Sequence, residues 1–560
     1  MLQIVLTLAI FVILVIPMGK YMYHIATDQK TLADKVFDPI DRIVYKVCGI
    51  KGEEMGWKKY ALSLLMANGV MVLTGYFILR IQGLLFLNPN GIDGMEASLS
   101  FNTIISFMTN TNLQHYSGES GLSYAAQMCV IIFMMFTSAA SGYAACMAFC
   151  RGLAGKKIGN FYVDMVRTTT RILLPLAFLV GLFLVSQGVP QTLAGNVTVG
   201  TIEGTWQDIA RGPVAALESI KHLGTNGGGF FGANSSTPFE NPTVLSDIAE
   251  LISMMILPGA CVVTFGHMLH DCKKERGEGA VIFGAMAIIF AIGLTICFSA
   301  EKAGNPVIAN LGISQEMGNM EGKEVRFGID QSSLFTTVTT SFTTGTVNNM
   351  HDSLTPLGGM VPMLLMQLGE IVFGGIGCGL YSMIGFVILT VFIAGLMVGR
   401  TPEYLGKKIG PKEMRMAVVL AICTPVVILV GAAAMCLDPA TFASLSNAGP
   451  HGFSEVLYAA TSAGGNNGSA FAGMDCNTPF LNTVLGLEML ANRFVPMAAA
   501  LCLAGSLSAR QKVAASAGTL STSNAMFVFL LILIVALIAA LSMFPALALG
   551  PIAEQLQMVL

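Results

Sequence analysis

Long uninterrupted apolar blocks constrain this chain more than any other feature. Residues 2–18 and 527–543 are two of them. About 20 apolar residues, at ~1.5 Å rise each, cross a hydrocarbon core, so such blocks read as membrane-spanning helices. A cleaved leader is the rival reading for residues 2–18. The segment lacks a basic start and an A-x-A-like cleavage site, and it is kept as a helix. Composition agrees. The 560 residues are 54% hydrophobic and 11% charged, against about 25% charged in a soluble domain. A net charge of −3 gives no basis for a nucleic-acid partner. The 12 cysteines form no CxxC pair and lie mostly in or near apolar segments, the pattern of small core residues.

Ten crossings fit the apolar blocks, near 2–22, 61–81, 122–149, 172–188, 246–270, 279–299, 358–399, 416–436, 481–505 and 525–548. The expected fold is an all-α polytopic membrane protein. Five stretches, 20–59, 151–171, 273–276, 400–415 and 510–512, carry 23 of the 30 Lys and Arg residues. The positive-inside rule puts these on the cytoplasmic face, which leaves both termini outside. The block at 358–399 must cross an odd number of times but is too long for one straight helix. A glycine-rich run at 369–379 interrupts it. One crossing with a broken, partly non-helical stretch is the simplest solution. Such backbone survives at membrane depth only where protein buries it or it lines a cavity.

The longer outer connections share a design: a short mildly apolar stretch, a Gly/Thr/Asn cluster, then polar chain leading into a helix. The second and fourth align without a gap. Asn226-Gly227-Gly228-Gly229-Phe230-Phe231-Gly232 matches Asn467-Gly468-Ser469-Ala470-Phe471-Ala472-Gly473, and Thr237-Pro238-Phe239 matches Thr478-Pro479-Phe480, both at an offset of 241 residues. The first and third align more weakly, through 106–111 and 341–346. The chain therefore reads as four helix–pore loop–helix units at 61–149, 172–270, 279–399 and 416–505. Residues 1–60, a helix and a basic loop, and a last helix in 525–560 flank them. Repeats of this kind put the functional site at their interface.

The clusters suit a dehydrated monovalent cation. Backbone carbonyls can replace its water if successive residues turn them toward one axis. That requires positive φ at some positions, which glycine adopts freely and asparagine tolerates. The weak alignment makes Asn110, Gly227, Gly345 and Gly468 equivalent. Their neighbours Thr109, Thr111, Asn226, Gly228, Thr344, Thr346, Asn467 and Ser469 are small or polar, and no carboxylate lies in any cluster. Ordinary surface turns are the plainer reading of any one cluster. Asn112 and Gln114 follow the first cluster and are expected at the outer mouth.

The motifs Thr109-Asn110-Thr111-Asn112-Leu113-Gln114-His115-Tyr116-Ser117-Gly118-Glu119, Gly224-Thr225-Asn226-Gly227-Gly228-Gly229-Phe230-Phe231, Asn348-Asn349-Met350-His351-Asp352-Ser353 and Asn466-Asn467-Gly468-Ser469-Ala470-Phe471-Ala472-Gly473 are long enough to be specific. With Gly399-Arg400-Thr401-Pro402-Glu403-Tyr404-Leu405-Gly406-Lys407-Lys408, they resemble the potassium-binding A subunit of Kdp-type potassium-transporting ATPases, in the superfamily of potassium transporters. The resemblance runs from the first helix to the last. It implies a multi-pass protein of the bacterial inner membrane, with one K+ site built from four filter segments and reached from outside. It implies a gating loop below the filter in the broken helix. It also implies partners: the P-type ATPase that forms the B subunit of such a complex, with the C subunit and the small F subunit.

The sequence has no GxxxxGK[S/T] phosphate loop and no Asp-Lys-Thr-Gly phosphorylation motif, so ATP hydrolysis would fall to another chain. Glu370, with Gly374 and Gly375, lies in the glycine-rich break. A carboxylate at that depth faces a cavity or a partner, so it either lines the gate and tunnel or bonds frayed backbone. Arg493 lies in the ninth crossing, ~140° around the helix from Glu488 and so a poor partner for it. It either steers cations or packs as an ion pair. A stand-alone transporter or channel of the Trk/Ktr type is the alternative function.

Overall fold

The computed structural model describes residues 2–31, 33–271, 277–397, 399, 402–511 and 520–560. The basic turn at 273–276, and Arg400, Thr401 and Lys512, lie outside the described residues.

Ten helices among these residues are long and apolar enough to cross a membrane: Leu2–Ala26, Trp57–Leu84, Tyr124–Ala154, Phe161–Gln187, Val244–His270, Gly277–Asn310, Cys378–Met397, Pro411–Leu437, Pro479–Ser508 and Ala525–Val559. Their order is the one the apolar blocks give. Outward faces expose Leu62, Val70, Leu73 and Phe77 on the second helix and Phe178, Leu179 and Leu182 on the fourth, as a lipid-facing band requires. Side-chain caps set several starts. Asn524 Oδ1 accepts from the Phe527 N–H (2.9 Å) and Thr478 Oγ1 from the Leu481 N–H (3.2 Å). Small residues allow close approach elsewhere: a Cβ on Gly279 would stand 2.8 Å from the Gly266 Cα.

Three features differ from the sequence reading. The fourth crossing starts at Phe161 rather than near 172, because Asn160 caps a helix whose first turns were counted as basic connection. The basic loop before residue 60 contains a helix, Asp34–Val47. Short strands also occur: Val197–Gly200 pairs antiparallel with Trp206–Ile209, and Glu403–Tyr404 with Lys407–Lys408.

Four short helices sit inside the ring of long ones: Ala97–Met108, Val214–Leu223, Gly328–Ser341 and Gly449–Gly464. They are buried along nearly their whole length, although the first and third are rich in Ser and Thr. Each precedes one of the Gly/Thr/Asn clusters. The seventh crossing is two helices, Pro356–Gln367 and Cys378–Met397, around a non-helical break at 368–377.

Buried charge pins these layers together. Glu301, at the end of the sixth long helix, pairs with Lys323 (2.6 Å), both side chains fully buried. Its oxygens also accept from Asn319 Nδ2 (2.9 Å), the Thr355 N–H (2.8 Å) and Thr355 Oγ1 (2.6 Å). Thr355 is itself the cap of Pro356–Gln367. Glu301→Ala would strand the Lys323 ammonium and release that cap. We expect a loss of about 3–5 kcal/mol, read as a lower unfolding temperature in detergent with the helix content of the folded state unchanged.

Candidate functional site

The four short helices end alike. Their C-caps are Thr109, Gly224, Phe342 and Gly465. The next residue has positive φ in every case: Asn110 (61°), Thr225 (44°), Thr343 (48°) and Asn466 (49°). Positive φ returns two residues later at Asn112 (54°), Gly227 (89°), Gly345 (89°) and Gly468 (94°). Between these, the N–H groups of Thr111, Asn226, Thr344 and Asn467 each donate to a carbonyl five residues back, at 2.9 Å in all four. The four segments therefore share one backbone path.

This path corrects the register of the first segment. The residue equivalent to Gly227, Gly345 and Gly468 is Asn112, not Asn110. The run Thr109-Asn110-Thr111-Asn112 repeats Thr-Asn with period two and fits either register. The shared Ser-Phe pairs at 106 and 341 then favour the wrong one. Asn112 thus moves from the expected mouth into the ring.

The segments close in a circle. A Cβ on Gly227 would stand 2.1 Å from the Thr344 carbonyl oxygen, one on Gly345 1.9 Å from that of Asn467, and one on Gly468 1.7 Å from that of Thr111. Gly228 closes the circle, its Cβ position 2.9 Å from the Asn112 carbonyl oxygen. Only a hydrogen at Cα admits carbonyls this close. The result is a ring of backbone oxygens without a carboxylate, at the negative ends of four helix dipoles, an environment suited to a dehydrated monovalent cation.

Amides hold the ring from behind. Asn110 Nδ2 donates to the Gly224 (3.1 Å) and Thr225 (2.8 Å) carbonyls, and Asn226 Nδ2 donates to Asn110 Oδ1 (2.6 Å). Asn466 Nδ2 reaches Thr111 Oγ1 (2.9 Å), and Asn467 Nδ2 the Thr339 carbonyl (2.8 Å). Thr109 Oγ1 bonds back to Ile105, Thr346 Oγ1 meets Ser235 Oγ (3.2 Å), and Ser469 Oγ meets Asn467 Oδ1 (2.6 Å). Gln114 clasps both backbone groups of Gly229, donating at 3.0 Å and accepting at 2.9 Å. The Asn112 amide is fully buried with neither atom hydrogen-bonded.

A fully buried ionic network braces the second segment. Lys221 Nζ lies 2.6 Å from Glu218 and 2.7 Å from Glu240, and Glu240 also accepts from the Phe231 N–H (2.7 Å). Lys221 is one of the seven Lys and Arg residues outside the five basic stretches, and the sequence reading gave it no role. Its signal was the Glu218–Lys221 spacing, one turn apart on a short helix.

Below the ring lies the break in the seventh crossing. Glu370, Phe373, Gly374 and Gly377 all have positive φ. The Gly374 N–H donates to the Ser341 carbonyl (3.0 Å) and the Ile376 N–H to Thr225 Oγ1 (3.2 Å), which holds the break against the inner ends of the second and third segments. A Cβ on Gly375 would stand 3.1 Å from Thr225 Oγ1. Phe373 stacks on Phe342, centroids 4.6 Å apart and planes 3° off parallel. Glu370 and Arg493 line one cavity of about 10 Å³ with Asn466 and Asn492, room for about one water. Glu370 Oε1 has no hydrogen-bond partner there.

Above the ring is a cavity of about 290 Å³ lined by Gln114, His115, Glu455, Ser469 and Asp475 among others. Burial pushes His115 down to about 4, against a smaller opposing effect of its bond to Asn482, and pushes His351 down to about 3. Both imidazoles stay neutral at physiological pH and place no positive charge over the ring.

The family described as "Potassium-transporting ATPase A subunit" (KdpA) matches residues 5–556. A potassium-transporting ATPase potassium-binding subunit of Clostridium acetobutylicum is 53% identical over 557 residues, covering 99% of both chains. One from Geobacillus kaustophilus is 49% identical over 557 residues, covering 99% of this chain and 98% of the relative. Among solved structures, the potassium transporter TrkH of Vibrio parahaemolyticus superposes with a TM-score of 0.53, covering 87% of this chain and 97% of its own. At 14% identity that likeness concerns the fold alone.

Two outcomes follow from this geometry. Gly345→Ala and Gly468→Ala each force a Cβ into a carbonyl at positive φ. Each should raise the K+ concentration for half-maximal activity of the assembled transporter at least ~10-fold, the loss that ~1.4 kcal/mol of ring distortion brings. The histidines make the fold acid-sensitive. Their folded values lie below the ordinary 6.5, so the unfolded chain alone takes up protons as pH falls, and stability drops between about 6.5 and 4. Unfolding temperature against pH should show this slope, and His115→Gln should flatten part of it.

Proposed function

We propose a function for a chain that belongs to the family of potassium-transporting ATPase A subunits. It is the potassium-binding and potassium-translocating subunit of an ATP-driven uptake complex. The observation that carries this reading is the fourfold repeat of positive-φ backbone closing into one carbonyl ring. Family membership supplies the ion, K+, and the energy source, ATP hydrolysed by a partner.

The ring binds K+ through backbone oxygens of Thr111, Asn112, Asn226, Gly227, Thr344, Gly345, Asn467 and Gly468. Thr109, Asn110, Gly228, Thr346 and Ser469 shape it from beside and behind, and Gln114 fixes the first segment to the second. Ions arrive through the polar cavity above, from outside, with the basic connections in the cytoplasm and both termini outside. The membrane is the bacterial inner membrane. The break with Glu370, Gly374 and Gly375 is the gate. Its backbone bonds to Ser341 and Thr225 support this reading, because a shift of the break would move the inner end of the ring. Glu370 and Arg493, on one small cavity, are the polar lining of the path onward. The partner that accepts the ion is the P-type ATPase of the complex, its B subunit, and the C and F subunits complete the assembly.

Reconstitution tests this. Vesicles holding the chain with its co-purified ATPase should accumulate K+ only when ATP is supplied, and vesicles holding the chain alone should not. Steady K+ uptake by the chain alone, without ATP, would favour the stand-alone transporter instead.

A further inference from the structure

The helix Asp34–Val47 lies on the face that carries the Lys/Arg-rich connections, and it is amphipathic in an inverted sense. Three of its carboxylates converge on Arg171, with Asp41 buried and Asp38 half-exposed. Buried Arg171 pairs with Asp34 (2.9 Å), Asp38 (2.5 Å) and Asp41, and Thr170 Oγ1 donates to Asp41 (3.0 Å). Its apolar side points outward: Val36, Ile40, Ile43 and Val47 are 63%, 44%, 64% and 79% exposed. Spaced four, three and four apart, they form one stripe. A helix with an outward apolar stripe beside a basic connection lies in the membrane interface.

Between this helix, the long helix Trp57–Ile81 and residues 160–170 is a cavity of about 760 Å³. Along the long helix it is lined by Lys59, Ser63, Ala67 and Met71, four apart and so on one face. Twelve residues at ~1.5 Å rise make a channel about 18 Å long, close to the ~15 Å of one hydrocarbon leaflet. Ser63 and Ala67 are small and leave the groove open, and Val44, Met165 and Val166 make the opposite wall apolar. Lys51 and Lys59 line the groove as exposed side chains, and neither has an ion-pair partner among the described residues. Glu53 lines it too and pairs with no lysine among the described residues.

We propose that this groove is a binding site for an anionic phospholipid of the leaflet on the basic face. One acyl chain lies along Ser63, Ala67 and Met71, and the phosphate sits at Lys51 and Lys59. Size and charge select this occupant. A spanning helix, ~10 Å wide and ~30 Å long, fills about 2,400 Å³ and exceeds the cavity threefold. Two unpaired ammonium groups at the open end of an apolar channel match a phosphodiester on a hydrocarbon chain. The interfacial helix then acts as a wall that the Arg171 pairs hold in place.

The test uses the full chain with its ATPase partner, delipidated and returned to nanodiscs of phosphatidylcholine with graded phosphatidylglycerol. Native mass spectrometry counts retained phosphatidylglycerol. The double variant Lys51→Gln/Lys59→Gln should lower its retention roughly tenfold and leave phosphatidylcholine retention unchanged. Ala67→Trp, which fills the channel without touching the charges, should lower both. Maleimide labelling of Cys48, an exposed residue that lines the groove, should slow as phosphatidylglycerol is added to the wild type. Unchanged retention in both variants, each eluting as a monodisperse complex, would overturn the proposal. So would a cross-link from Cys48 to a partner chain, which would make the groove a protein contact.

Discussion

The close approach of carbonyl oxygens to glycine Cα atoms governs the centre of this molecule. At Gly227, Gly345 and Gly468 the next segment's oxygen occupies the space a side chain would need. No hydrogen bond runs along that contact, so the oxygens stay free to face the axis. Their mutual repulsion has to be countered from outside the ring. The asparagine and threonine side chains behind it do so, tying each segment to a neighbour or to a short helix. Such a network explains why Ser and Thr crowd the buried helices Ala97–Met108 and Gly328–Ser341. They serve as ligands of the backbone.

Irregular backbone at membrane depth creates further demands. Each segment leaves N–H and carbonyl groups without helical partners, and so does the break at 368–377. Much of the compensation is internal, through turns that reach five residues back and through acceptors such as the Ser462 and Thr339 hydroxyls, which take the Gly468 and Gly345 N–H groups. Two buried ionic sets lie beside the segments: Lys221 with Glu218 and Glu240, and Lys323 with Glu301. Each set anchors a loop that follows or precedes a segment. Removing one partner would leave the other uncompensated in a low dielectric, the costly half of a buried pair.

Much of this was legible in the residues, for physical reasons. Apolar length fixes the ten crossings, because nothing else satisfies backbone groups in lipid. The glycines at 227, 345 and 468 announce a conformation that other residues adopt with difficulty, and all three have it. The break in the seventh crossing follows from parity and its glycines. What stayed hidden was long-range or degenerate. A run of Thr-Asn-Thr-Asn carries no register of its own, so Asn110 and Asn112 could be separated only by the helix end at Met108. The convergence of Asp34, Asp38 and Asp41 makes sense only once Arg171, some 130 residues away, stands between them.

The ring is therefore fourfold in path but not in chemistry. Three of its positions are glycine and one is Asn112, which has the same sign of φ but carries a Cβ. At three junctions a carbonyl comes within about 2 Å of where a Cβ would be. At the fourth, between the first and second segments, the approach is wider: the Cβ position of Gly228 lies 2.9 Å from the Asn112 carbonyl oxygen. That junction has the widest glycine–carbonyl approach of the four. It also carries the extra ties, from Asn110 to Thr225, from Asn226 to Asn110 and from Gln114 to Gly229. Amide ties also join the fourth segment to the first and third, through Asn466 and Asn467, but they are most numerous between the first two segments, where no glycine stands at the ring position of the first.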